Sequence, residues 1–205
     1  MMSTKCIIVG AGELPTLPCL SGSELIVAAD GGCEALMRHG TVPHAVIGDL
    51  DSQHAPLPLG VEIVRYPVEK DETDMHLAFL YGYERGCREF ELYGGTGGRL
   101  DHTLANLSLM LAMVKRGCSA CLFGNGYTAR VLPAGRYETV APKGSTVSVF
   151  AIGGSAEGVC VSGLKYSCCD AVLNEDFALG VSNSATGEQG IIEHKSGYLL
   201  VIEEV

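Results

Sequence analysis

The chain has 205 residues, of which 47% are hydrophobic and 19% charged, so it can bury a substantial core as one large domain or two small ones. Its formal net charge of −10 argues against a nucleic-acid surface, which needs clustered lysines and arginines. No apolar run approaches the roughly 20 residues that cross a bilayer, and the first residues lack a signal-peptide pattern. We therefore expect a cytoplasmic protein without a nucleic-acid or membrane partner.

The first 125 residues contain six short apolar runs that predict β-strands. The runs are residues 6–10, 24–30, 44–49, 61–67, 89–95 and 119–125. Several are almost continuously apolar, as in parallel strands that are covered on both faces. Residues 71–86 and 101–117 have apolar positions at helical spacing and end in glycine, which predicts two helices. Strands that alternate with helices indicate an α/β layer fold with a mostly parallel sheet.

After Asn125 the helical period disappears. Short β-type runs follow one another in residues 129–135, 145–154, 157–166, 177–183, 190–195 and 198–205, separated by glycine or proline. This spacing favours an antiparallel sandwich or roll. We therefore predict two domains, an α/β domain of residues 1–125 and a β-rich domain of residues 126–205.

The nine cysteines are interpreted as reduced thiols, because no secretion signal accompanies them. Cys118 and Cys121 have the spacing of a metal or redox pair, but no second pair or histidine follows at zinc-finger distance. Cys168 and Cys169 are adjacent, and a disulfide between neighbours would be strained.

Aspartates gather where the predicted strands end. They are Asp30, Asp49, Asp51, Asp71, Asp74 and Asp101, and ligands of α/β sheets bind beyond the carboxyl ends of the strands. In an extended chain Asp49 and Asp51 point to the same side, about 7 Å apart. Such a pair can hold Mg²⁺, which prefers carboxylate, water and phosphate oxygens. The alternative is that the two aspartates only shape an Asx turn.

The segment "KDETD" at residues 70–74 opens the first predicted helix. Asp71 is a suitable N-cap, and Asp74 three positions later resembles a capping box and suits the helix dipole. A capping carboxylate keeps lone pairs for a metal or phosphate, so both roles stay open for Asp71 and Asp74.

The segment "GGTGGRLDH" at residues 94–102 joins a predicted strand to a helix. Its glycines, Gly95 and Gly98 among them, let backbone amides approach a phosphate at the helix start. It is not a Walker A loop, because no lysine with serine or threonine follows. Arg99 can supply fixed positive charge, with Asp101 and His102 as a polar pair. Alternatively, Asp101 caps the helix and His102 lies on its solvated side.

These segments resemble the thiamine pyrophosphokinase family. The resemblance rests on "ADGG", "GDLDS", "KDETD" and "GGTGGRLDH", followed by "GLKY" at 163–166 and "LGVSN" at 179–183, in that order along nearly the whole chain. It implies Mg²⁺-dependent transfer of the diphosphoryl unit of ATP to the hydroxyl of thiamine, with release of AMP. It also implies an N-terminal α/β domain, a C-terminal β domain, and a homodimer with active sites at the subunit boundary.

The resemblance assigns roles to individual positions. The acidic metal positions are matched by Asp30, Asp49, Asp51 and Asp74. The nucleotide-facing motifs contain Lys70, Asp71, Thr73, Gly95, Gly98, Arg99, Asp101 and His102. The thiamine-contact segment is matched by Ser182 and Asn183. The catalytic set is Asp49, Asp51, Asp71, Asp74 and Arg99. Many eukaryotic relatives place a tryptophan near the thiamine ring, but this chain has none. Tyr166 is a candidate for that place, or a core residue.

Two other functions use the same residues. A magnesium-dependent phosphohydrolase, or a diphosphokinase for another small alcohol, would need the aspartates but not the "LGVSN" segment. A thiamine or nucleotide sensor would bind without turnover, so AMP formation separates it from the enzymes.

Overall fold

The computed structural model describes residues 4–14, 17, 20–50 and 56–205. Asp51 and its neighbour Ser52 therefore lie outside the described residues. The chain divides into two compact units, one with the residues up to Leu109 and Leu122–Asn125, the other with Met110–Cys121 and Gly126–Val205. Within the described ranges, no helix has the length and apolar character to cross a membrane.

The elements of the N-terminal part alternate between strand and helix. They are β1 (Lys5–Val9), β2 (Leu25–Ala29), α1 (Gly32–Arg38), β3 (Ala45–Gly48), β4 (Glu62–Arg65), α2 (Asp74–Glu84), β5 (Glu89–Tyr93), α3 (Leu100–Lys115) and β6 (Ser119–Gly124). The first five strands form a parallel sheet in the order β5-β1-β2-β3-β4. The predicted α/β layer is confirmed. Helix α1 was not predicted, because its seven residues are too few to show a clear period.

Burial explains why the strands read as continuous apolar runs. All four residues of β3 are buried, as are four of the five in β1 and in β2. Strands covered on both faces cannot alternate apolar with polar residues. The edge strand β4 is mostly exposed and more polar, so its prediction was less precise.

The second unit contains the antiparallel strands. They are β7 (Tyr127–Glu138), β8 (Thr146–Ala151), β9 (Ala156–Ser162), β10 (Cys168–Leu173), β11 (Gly180–Ser184) and β12 (Ile191–Glu204). Strand β12 pairs along its length with β7, while its first half pairs with β9 and its second half with β8. Strands β10 and β11 extend this arrangement by pairing with β9 and β8. The predicted β-rich C-terminal fold is confirmed.

Two details of this unit differ from the sequence-based prediction. The runs 190–195 and 198–205 form one strand, because β12 continues through a register shift between His194 and Tyr198, with Gly197 at φ 83°. Strand β10 was not predicted, because five of its six residues are not buried and it carries no apolar alternation. The eight described cysteines are free thiols.

Candidate active site

A cavity of about 630 Å³ lies at the carboxyl ends of the parallel strands, within the roughly 300–1,000 Å³ typical of ligand pockets. The loops after β1, β2, β3 and β5 all reach it. The chain runs from β1 to β4 in one direction across the sheet, whereas β5 returns to the other side of β1. This reversal of strand order is where open α/β sheets bind ligands.

Two glycine-containing loops pack backbone to backbone along one side of the cavity. The amide of Gly12 donates to the carbonyl of Gly94 at 2.9 Å, and the amide of Glu13 donates to that of Thr96 at 2.8 Å. A Cβ on Gly12 would lie 2.6 Å from the Gly94 oxygen and 2.4 Å from the Thr96 oxygen, so any side chain there would separate the loops.

The second of these loops leaves its backbone donors available. In the described part of the chain, no amide of residues 95–99 donates to a backbone carbonyl. Asn106 of α3 fixes this loop, because its Nδ2 donates to the carbonyl of Gly95 at 2.7 Å in a buried position. Asn106 was missed in the sequence. The signal was an asparagine in one buried helical stripe with Leu109, Met110 and Met113, at spacings of three, four and seven residues.

Three carboxylates come together opposite the glycine loops. Asp30 follows β2, Asp49 follows β3 and Asp74 opens α2. Gly48 makes their approach possible, since a Cβ there would lie 3.2 Å from Cγ of Asp74 and 3.4 Å from Cα of Asp30. Oδ1 of Asp30 is buried and has no hydrogen-bond partner among the described residues. A buried carboxylate oxygen in that state is expected to have a partner that binds from the cavity.

Lys70 lies between two of these carboxylates. Its Nζ is 2.9 Å from Oδ1 of Asp74 and 3.3 Å from Oδ2 of Asp49, and its side chain is 11% exposed. Burial acts to lower the pKa of Lys70, but the hydrogen bonds and charges of Asp74 and Asp49 together raise it above its usual value. The ammonium therefore stays charged and holds the two carboxylates in place.

The pKa of Asp74 indicates that Lys70 does not fully neutralise the negative charge of the three carboxylates. Burial raises the pKa of Asp74, Lys70 lowers it, and the charges of Asp49 and Asp30 raise it again, so that the pKa lies above its ordinary value. The local surplus of negative charge would be relieved by a cation in the cavity.

The donor set is compatible with a magnesium ion that takes most of its ligands from water and substrate. Within the described residues, no group of three or more His, Cys, Asp or Glu side chains could hold a metal ion by itself. Mg²⁺ commonly uses one or two carboxylates, with water and substrate phosphates as its other ligands. Asp30, Asp49 and Asp74 offer such oxygens, and Asp51 lies outside the described residues.

The start of α2 differs from the capping alternative considered for the sequence. The N-cap is Thr73, whose Oγ1 accepts a hydrogen bond from the amide of His76 at 3.2 Å. The interpretation of Asp71 as N-cap is therefore wrong. Because Thr73 caps the helix, the Asp74 carboxylate is left to face the cavity. Asp71 is exposed and does not line it.

Arg99 and Asp101 form an exposed pair at the mouth of the cavity. The Arg99 Nε and Nη2 donate to the two oxygens of Asp101 at 3.1 and 2.5 Å. Hydrogen bonding to Asp101 raises the pKa of Arg99, and the same bond lowers the pKa of Asp101. Arg99 and His102 line the cavity, whereas Asp101 does not. The carboxylate thus orients the guanidinium from outside.

The structure brings most of the predicted nucleotide-side residues to this one cavity. Those that line it are Asp30, Asp49, Lys70, Thr73, Asp74, Gly95, Gly98, Arg99 and His102. Ser182 and Asn183 lie on β11 of the second unit.

Asn183 holds the main chain of Tyr166. Its Oδ1 accepts from the Tyr166 amide at 2.9 Å, and its Nδ2 donates to the Tyr166 carbonyl at 2.6 Å. The Tyr166 side chain is 61% exposed, so it is not a core residue. Ser182 has a positive φ of 59°, and its amide donates to Oγ of Ser148 at 3.1 Å. The Asn183 side chain therefore joins β11 to the main chain that carries the exposed Tyr166 ring.

Comparison with known proteins identifies the family. A sequence model described as "Thiamin pyrophosphokinase, catalytic domain" matches residues 18–122, and one described as "Thiamin pyrophosphokinase, vitamin B1 binding domain" matches residues 136–199. The chain belongs to the thiamin pyrophosphokinase family. The second match covers the Tyr166 loop and β11, the segments that carry the tyrosine, serine and asparagine.

Family members from bacilli are similar over almost their whole length. Thiamine pyrophosphokinase of Bacillus subtilis (strain 168) is 26% identical over 205 residues, which cover 95% of this chain and 96% of the relative. A crystal structure of thiamine pyrophosphokinase from Bacillus subtilis superposes with a TM-score of 0.85 at 25% identity, covering 98% of this chain and 99% of the other. A crystal structure of thiamin pyrophosphokinase from Geobacillus thermodenitrificans superposes with a TM-score of 0.82 at 26% identity, covering 98% of this chain and 97% of the other.

Proposed function

We propose that the chain transfers the diphosphate of ATP to thiamine, giving thiamine diphosphate and AMP. The observation that carries the proposal is the cavity at the strand ends, which is lined by the glycine loop and by a group of carboxylates with surplus negative charge. Amide donors and a cation held by carboxylates are the two elements that a polyphosphate needs. Membership of the thiamin pyrophosphokinase family supplies the substrates.

The chain's own groups position the reacting phosphates. The thiamine hydroxyl attacks the β-phosphorus in line, with AMP as the leaving group, and such transfer depends mainly on positioning and charge stabilisation. The amides of residues 95–99 and the guanidinium of Arg99 bind phosphate oxygens. Lys70 keeps Asp49 and Asp74 in place. Asp30, Asp49, Asp51 and Asp74 would hold Mg²⁺, which when bound neutralises phosphate charge.

The thiamine side is formed by the Tyr166 loop and β11. The exposed tyrosine ring offers an aromatic face to the cationic thiamine ring, in place of the tryptophan that this chain lacks. Asn183 acts on thiamine binding indirectly, by positioning Tyr166, because its side-chain amide is already hydrogen-bonded to both the amide and the carbonyl of Tyr166. The Ser182 hydroxyl supplies a direct polar contact.

We further propose that the active protein is a homodimer in the cytoplasm. The family resemblance supports the dimer, whereas the apolar positions of β8 are already buried in this chain's own core. Sedimentation equilibrium at micromolar concentration should give twice the chain mass of 21.5 kDa. A single species of 21.5 kDa would contradict the dimer.

The test of the proposed reaction is identification of products by mass. Purified protein is incubated with ATP, Mg²⁺ and a panel of small alcohols that includes thiamine. We expect thiamine diphosphate and AMP in equal amounts, and no nucleotide loss without thiamine. Release of inorganic phosphate without an acceptor would favour a phosphohydrolase, and preference for another alcohol would favour a different diphosphokinase.

A further inference from the structure

The second unit carries a pair of thiols at the base of the loop that presents Tyr166. Cys160 lies in β9 and Cys169 in β10, and their Sγ atoms are 3.4 Å apart. Cys169 is exposed and Cys160 partly exposed, so small molecules in solvent can reach the pair. Neither thiol has a role in the proposed transfer.

A β-bulge aims the two thiols at each other. Cys168 pairs with Val161 and Ala171 pairs with Val159, so Cys160 alone faces two residues of β10. Two residues opposite one define a bulge, which redirects the side chains beside it. Paired residues of antiparallel strands have Cα atoms about 4.5–5.5 Å apart, within the range that a disulfide spans.

The surroundings of the pair are polar and include a cation. Asp170, at a positive φ of 52°, donates its amide to the Cys160 Sγ at 3.2 Å. Its carboxylate accepts from the Nζ of Lys195 at 2.7 Å. Hydrogen bonding to Cys160, together with the charges of Cys160 and Asp170, raises the pKa of Cys169, and the nearby Lys195 ammonium acts in the opposite direction. The thiolate is the reactive form of cysteine.

We propose that Cys160 and Cys169 are a redox modification site, which closes to a reversible disulfide on reaction with an oxidised low-molecular-weight thiol. The Cys169 thiolate attacks one sulfur of the reagent disulfide, which releases one reagent thiolate and leaves a mixed disulfide. The Cys160 sulfur, after losing its proton, then attacks the Cys169 sulfur and displaces the second reagent thiolate. Two protein thiols are oxidised and one reagent disulfide is reduced to two thiols. The two protons that the protein thiols release are taken up by the two reagent thiolates.

The disulfide closes a short loop that contains Tyr166. Residues 161–168 lie between the two cysteines, and the Tyr166 main chain in this loop is held by Asn183. A new covalent bond at the loop base restrains the position of the tyrosine ring. This consequence rests on the proposed function, under which oxidation changes the thiamine KM several-fold while the ATP KM stays the same.

The experiment maps the disulfide directly. The reduced full chain is incubated under native conditions with excess oxidised glutathione, quenched with acid, alkylated and digested with trypsin without reductant. Cleavage after Lys143, Lys165 and Lys195 separates Cys160 from Cys169 into two peptides. We expect these peptides, 144–165 and 166–195, to be joined by a disulfide that dithiothreitol breaks.

Cys168 provides the matched control, because it lies in the same peptide as Cys169 but its Sγ contacts the Val159 carbonyl at 3.7 Å instead. The joined peptides should persist in Cys168→Ser and disappear in Cys169→Ser and Cys160→Ser. Unjoined peptides in the wild type, a glutathione adduct that never closes, or loss of the link in Cys168→Ser alone would overturn the proposal.

Kinetics separate this inference from the proposed function. The thiamine KM is measured for the reduced protein, the oxidised protein and the oxidised protein after dithiothreitol treatment, with Cys169→Ser as the variant that cannot respond. A mapped disulfide with an unchanged thiamine KM would overturn the link to the thiamine side. If the reduced protein does not transfer diphosphate to thiamine, the proposed function is overturned, but the mapped disulfide remains valid.

Discussion

The Nδ2 of Asn106 donates a hydrogen bond of 2.7 Å to the carbonyl of Gly95, and both groups are buried. This bond joins α3 to the glycine loop that lines the cavity. Gly12 and Glu13 bind the same loop through its carbonyls at Gly94 and Thr96. Asn106 adds a buried side-chain anchor at Gly95.

Replacement of Asn106 by alanine should weaken both folding and ATP binding. The buried Gly95 carbonyl loses its partner, which costs about 1–3 kcal/mol of unfolding free energy. The loosened loop should also raise the ATP KM more than the thiamine KM. Urea unfolding and steady-state kinetics measure the two effects. Ser108→Ala, an exposed site on the same helix, is the control, and equal effects of the two variants would exclude the positioning role.

The N-cap of α2 gives a prediction that separates two neighbouring polar residues. Thr73→Ala removes the acceptor of the His76 amide and should lower the unfolding free energy by about 1 kcal/mol. Asp71→Ala should change it by less than about 0.5 kcal/mol, because an exposed residue away from a cap contributes little. Denaturant titration of both variants measures the difference. A larger loss for Asp71→Ala would restore the capping role to that aspartate.

The clustered carboxylates should be needed for activity but not for stability. Asp49→Asn keeps the shape but removes one of the charges that raise the pKa of Asp74. We expect turnover at saturating Mg²⁺ to fall at least about 100-fold, while the melting temperature stays the same or rises because repulsion is relieved. Asp51→Asn, at a position outside the described residues, is expected to lose turnover similarly. Near-normal turnover in either variant would remove that residue from the metal site.

The aromatic wall can be tested through the residue that holds it. Asn183→Ala frees the Tyr166 main chain, so the thiamine KM should rise by about 10-fold or more with little change in the ATP KM. Tyr166→Ala should show the same selectivity, whereas Tyr166→Phe keeps the ring and should remain close to wild type. Ser182→Ala should raise the thiamine KM by a smaller factor. Equal weakening of both substrates would indicate that these residues only shape the turn.

The parts of the site that sequence reasoning found are those with a local signature. An aspartate after an apolar run, as at Asp30 or Asp49, follows from strand ends meeting at one edge. Asn106 was not found, because its role depends on a carbonyl eleven residues away that comes close only after α3 packs. The Gly12 contact with Gly94 and Thr96 likewise joins strands that are adjacent in the sheet but distant in the chain.

The fold was predictable to a similar degree. The buried parallel strands can be recognised in the sequence as apolar runs, since both of their faces must be covered. Strand β10 was missed because it is exposed and is defined by pairing with β9. The N-cap was assigned to Asp71 because Asp71 and Thr73 are both good caps, and only the helix geometry separates them.

The most direct test of the central claim follows the β-phosphorus of ATP. ATP labelled with an isotope at the β-phosphate is incubated with thiamine, Mg²⁺ and the reduced protein, and the products are separated and weighed by mass spectrometry. Transfer of a diphosphoryl unit predicts that all transferred label appears in thiamine diphosphate and that AMP carries none. Label retained in ADP, with thiamine monophosphate as the first product, would contradict the account.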